Sequence, residues 1–159
     1  MRTLQILFLL AATSTAAFCL PGGVLANVRR IQIDPTVIAQ PEKVKDSLAA
    51  NLVRFDLRAA VRDAYLEEGD SPIRAHIVLD EFSRESTAKR LIGFGTGRST
   101  STVDGRLVIQ DASGKELASV KIHVRGSVAF SPDEGYNPQG HQPTSDFEKR
   151  LLEEIERLK

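Results

Sequence analysis

The chain has 159 residues with 21 basic and 21 acidic side chains, so it lacks the excess positive charge of a protein built to grip nucleic acid or anionic lipid. Its 42% apolar content supports one compact domain. A single cysteine, Cys19, excludes a disulfide framework within the chain.

The first 26 residues, MRTLQILFLLAATSTAAFCLPGGVLA, place Arg2 before an apolar run from Leu4 to Leu10, then small residues, then Pro21-Gly22-Gly23. This is the layout of a secretory signal peptide, and its apolar core is too short for a stable membrane span. Small Ala26 is the expected cleavage position, giving a mature protein from Asn27 in the periplasm. Loss of Arg2 then leaves the mature chain one unit negative. A second processing route makes Cys19 the acylated residue of a lipoprotein. Ala16 and Ala17 suit that route, whereas Phe18 puts bulk at its cleavage position. No later stretch reads as a transmembrane segment.

Residues 28–34 (VRRIQID) alternate in the manner of a short strand. Pro41 suits the first turn of a helix, where its missing N–H costs nothing. That helix is expected to run to about Glu67 with Val44, Leu48, Leu52 and Phe55 on its apolar stripe, Val53, Leu57, Ala60, Val61 and Ala64 widening that face, and Gly69 as its left-handed stop. In residues 73–82 (IRAHIVLDEF), Ile73, Ala75, Ile77 and Leu79 share one face of a strand. Residues 100–111 (TSTVDGRLVIQD) put Ser101, Val103, Gly105, Leu107 and Ile109 on one face. Asp111-Ala112-Ser113-Gly114 is a hairpin turn, and residues 116–130 return as a strand with Val120, Ile122, Val124 and Val128 in step. Residues 131–143 (SPDEGYNPQGHQP) read as an exposed loop. Thr144 or Ser145 can cap a final helix with Phe147, Leu151, Leu152, Ile155 and Leu158 on one stripe, and Ser145 with Glu148 has capping-box spacing. The expected order is β-α-β-β-β-α over residues 27–159. This is an α+β domain with one antiparallel or mixed sheet and both helices on one face.

The stretch KRLIGFGTGRSTSTV (89–103) carries the most distinctive motif. A P-loop needs lysine after its last glycine and a helix opening there. Here Arg98 follows Gly97, and Ser99 to Val103 read as strand. Dinucleotide-type glycine spacing is absent as well. Gly93, Gly95 and Gly97 alternate strictly, so an extended chain clears one face for a neighbouring backbone. The competing use of the segment is an anion held between Arg90 and Arg98 by the glycine amides.

Other constellations lead to little chemistry. His76, His123 and His141 show no short-range ligand pattern, so no metal or other cofactor is expected. His76 and His123 fall on strands that could be neighbours. Asp80-Glu81 and Asp133-Glu134 are adjacent acids, which point to opposite faces of a regular strand and make no dyad by spacing. There is no nucleophile elbow, and no catalytic residue is assigned. Arg54, Arg58 and Arg62 repeat every four residues as a solvated helix face, relieved by Asp56, Asp63 and Glu67.

Residues 88–126 resemble the core of a family of bacterial envelope proteins known as domain of unknown function 4410. The shared features are Arg90-Leu91-Ile92, then Gly93-Phe94-Gly95-x-Gly97, an alternating strand, an Asp111-x-x-Gly114 turn and a second alternating strand. The resemblance implies an exported, often lipidated protein without an assigned catalytic site. Together with the residues, it leads to the expectation of a non-enzymatic envelope domain that binds another envelope protein and no nucleic acid. The alternative is a periplasmic small-ligand or anion-binding protein using Arg90, Gly93, Gly95, Gly97 and Arg98.

Overall fold

The computed structural model describes residues 23–84, 101–126 and 145–159. Their elements in chain order are β1 Arg30–Ile33, β2 Val37–Ile38, α1 Ala49–Asp63, β3 Glu67–Glu68, β4 Ile73–Arg84, β5 Ser101–Asp111, β6 Glu116–Gly126 and α2 Asp146–Leu158. The fold is α+β, with two helices and an open mixed sheet. Strand order is β3-β1-β4-β5-β6, and β2 lies beside β4 beyond the end of β1. β1 runs parallel to β3 and β4, while β4, β5 and β6 form an antiparallel meander.

Alternation in the meander sorts its side chains into two faces. Ala75, Ile77 and Leu79 of β4, Val103, Leu107 and Ile109 of β5, and Ile122 of β6 are buried. They share a core with Val53, Leu57, Ala60 and Val61 of α1 and Phe147, Leu151 and Ile155 of α2. The β5–β6 hairpin closes on Asp111. Its Oδ1 accepts from Ser113 Oγ at 2.6 Å, Ser113 N at 2.8 Å and Lys115 N at 3.1 Å. Gly114 takes the left-handed conformation, with φ of 85°.

The first helix starts later and ends earlier than its periodicity implies. Pro41 opens a short 3-10 turn, Pro41–Lys43, and Val44 forms a bridge to Phe82 instead of joining a helix. The helical start signal is Asp46, whose Oδ1 accepts the Leu48 N–H at 2.8 Å and whose carbonyl accepts the Ala49 N–H at 3.1 Å. The expected apolar face is kept at Val53, Leu57, Ala60, Val61 and Ala64, all buried, and is lost at its edge. Leu48 and Phe55 are 53% and 45% exposed, and Ala49 faces the core. The stop is Tyr65, with φ of 59°, rather than Gly69. Tyr65 N bonds Arg62 O at 2.9 Å and Leu66 N bonds Val61 O at 3.1 Å, the pairing of a Schellman cap.

At α2 the capping serine is where its spacing puts it. Ser145 Oγ accepts the Glu148 N–H at 2.9 Å and donates to Asp56 Oδ2 at 2.9 Å. Asp56 is thus buried between the helices rather than lying on a solvated face.

Candidate functional site

The sheet face away from the helices collects Arg74, His76, Val78 and Asp80 of β4, Thr102, Asp104, Arg106, Val108 and Gln110 of β5, and Ser119, Lys121, His123 and Arg125 of β6, by alternation and register. Its chemistry changes from strand to strand.

At the far end of β4 the register shifts between Leu79 and Glu81, leaving Asp80 as the extra residue of a β-bulge. Leu79 and Phe82 are both buried, so the two residues between them stand together on the open side. Asp80 and Glu81 therefore share a face, contrary to the alternation of a regular strand, and Glu81 pairs in register with Asp104. Gly105 makes this possible, because a β-carbon there would come within 2.6 Å of the Val78 carbonyl oxygen. Among the described residues, no group of acids and histidines comes close enough to hold a metal ion.

Positive groups take over toward β6. Arg106 and Lys121 are in register, as are Asp104 and His123. Asp104 lies 3.9 Å from Lys121 Nζ and 3.6 Å from His123 Nδ1. Arg106, Lys121, His123 and Arg125 are all exposed. β6 is also the terminal strand of the sheet, and among the described residues no strand pairs with its outer side. Every second residue there directs its backbone N–H and C=O away from β5.

At the opposite corner, Arg74 grips Asp34 with Nη2 at 3.0 Å and Nε at 2.9 Å, and Gln32 Nε2 adds a bond at 3.0 Å. Desolvation raises the Asp34 pKa, but the Arg74 and Gln32 hydrogen bonds outweigh it and hold the carboxyl below its ordinary range. His76 is next along β4. Burial lowers its pKa, opposed by Asp34 and Glu116 and assisted by Arg74, and the net direction is down. Its Nδ1 has no hydrogen-bond partner among the described residues.

The structure separates several residues that the sequence left open. His76 and His123 are not neighbours, since β5 runs between their strands. The α1 arginines diverge in role: Arg54 donates to Ile33 O at 3.2 Å, Arg58 pairs with Glu68 at 2.9 Å and Arg62 with Asp63 at 3.4 Å. Arg90, Gly93, Gly95, Gly97 and Arg98 lie outside the described residues, as do Cys19, His141 and the acids Asp133 and Glu134. The flanks of the glycine segment are nevertheless defined, because Arg84 and Ser101 are register partners at the end of the β4–β5 ladder. Among the described residues, no helix is long and apolar enough to cross a membrane.

No family model matches the chain, and no curated protein matches it. Among solved structures, it is similar to the PelC dodecamer from Paraburkholderia phytofirmans, at 10% identity and a TM-score of 0.48 over 67% of this chain and 79% of that one. It is also similar to a minor lipoprotein from Acinetobacter baumannii, at 7% identity and a TM-score of 0.34 over 81% and 90% of the respective chains. At these levels neither likeness carries a function to this chain.

Proposed function

We propose that this chain is an exported bacterial envelope protein whose α+β domain is a non-enzymatic binding module for another envelope protein. The export reading rests on the leader-like first 26 residues and on the resemblance of residues 88–126 to the envelope family of domain of unknown function 4410. The binding reading is carried by one observation, the outer edge of β6. An 11-residue strand without proline offers its backbone groups along an edge that no described strand covers. Beside that edge, Lys121, His123 and Arg125 alternate on the open face with Arg106 behind them, so an extended segment with acidic side chains on that face is the complementary partner.

Cross-linking through amines in intact cells, followed by mass spectrometry, tests this reading. The expected result is a link from Lys115 or Lys121 to an extended acidic segment of a second envelope protein. The doubly substituted Lys121→Glu, Arg125→Glu chain loses the link while its Tm stays within about 2 °C, since both side chains are solvated. Links confined to this chain sink the reading and leave the cations as charges that merely keep the strand edge from aggregating.

A further inference from the structure

Residues 23–26, the last four of the leader as read from sequence, are built into the folded domain. Leu25 is 1% exposed and belongs to the same buried core as Ile31, Ala64 and Ile155. Its N–H donates to the Leu158 carbonyl at 2.7 Å, at the C-terminal end of α2. Ala26 N bonds Gly23 O at 3.0 Å and Val28 N bonds Leu25 O at 3.0 Å, so the segment is a closed set of turns. Gly23 lies against the backbone of Leu158 and Lys159 so closely that any β-carbon there would overlap the Leu158 carbonyl. Lys159 fastens the same corner, with Nζ donating to Ala64 O at 2.8 Å.

Everything N-terminal to a leader cleavage site departs with the leader. A cut after Ala26 removes Leu25 from the core, leaves a void its size, and strips the Leu158 carbonyl of its donor. Retention of the segment keeps a close-packed corner where the ends of both helices meet. We propose that the leader is cut upstream of Gly23, and that residues 23–26 are the first structural segment of the mature protein. This rests on the export reading above.

The test uses the full-length precursor, exported by a bacterial cell and recovered from the envelope, with intact mass and Tm measured for wild type and for Leu25→Ala. With the segment retained, wild type begins at or before residue 23, whether its terminus is free or is an acylated Cys19. The variant is then lighter by the Leu–Ala difference, and its Tm falls by on the order of 10 °C. Leu25→Met keeps the volume and stays within a few degrees, on the order of 3 °C, which guards against a chain that fails to accumulate. A mature terminus at Asn27, with variant and wild type identical in mass and Tm, overturns the inference and leaves export standing. An uncut chain beginning at Met1 or Arg2 overturns the export reading and the inference with it.

Discussion

His76 is a strand residue whose neighbours matter more than its place in the sequence. Its imidazole is partly buried beside Arg74, and the net effect of burial, Arg74, Asp34 and Glu116 is a lowered pKa. A histidine held below its ordinary 6.5 supplies stability while neutral. That contribution is present above the unfolded pKa and is lost as pH falls through the folded one. Asp34 and Asp111, also lowered, act below their ordinary carboxylate value of 3.8 and so outside the nearly neutral window of His76. Between about pH 7.5 and 5 the wild-type Tm is expected to fall more than that of His76→Gln, as measured by thermal melts at both ends. Equal slopes would remove His76 as the cause. None of this was legible in the residues 73–82, because Asp34 comes near His76 only where the chain after β1 meets β4, and Glu116 of β6 only across β5. Ser145 shows the opposite case. Its capping role follows from a three-residue spacing to Glu148, while its second bond, to Asp56, depends on how two helices far apart in sequence meet.

At the scale of elements, the meander was readable because its pattern is local. Ala75, Ile77 and Leu79, then Val103, Leu107 and Ile109, repeat every second residue, and Asp111 to Gly114 supply the turn between β5 and β6. The bulge at Asp80 was not readable, since it exists only in the register between β4 and β5. Gly105 is its hinge. Gly105→Val is expected to cost about 1–3 kcal/mol, from driving side-chain atoms into the Val78 carbonyl, with denaturant unfolding as the measure. A cost near zero would mean that the two strands separate there without penalty. The first helix illustrates a competition between signals. Apolar spacing from Val44 onward extends a helix toward Pro41, but Val44 is better buried against Phe82, and Asp46 supplies the start. At the other end Tyr65 takes the left-handed position despite its β-carbon, because the Schellman bonds to Arg62 and Val61 hold it there.

At the scale of the whole molecule, two surfaces make different predictions for a ligand. The partner reading uses β6, while the anion reading uses Arg90 and Arg98 with the amides of Gly93, Gly95 and Gly97. Inorganic phosphate separates them. An anion site at about a hundredfold its dissociation constant adds about 2.7 kcal/mol and raises the Tm, and Arg98→Ala abolishes the rise. If β6 is the functional surface, phosphate leaves the melting of both chains unchanged. The amino-acid sequence by itself determined the fold class, the strand faces, the β5–β6 turn and the cap of α2, because each depends on residues within a few positions of one another. Only the tertiary structure decided that Asp56 is buried, that Asp80 and Glu81 share a face, that β6 is the last described strand of the sheet, and that Leu25 belongs to the core. Each of these depends on long-range pairing or packing, and no periodicity within a single segment encodes what lies across from it.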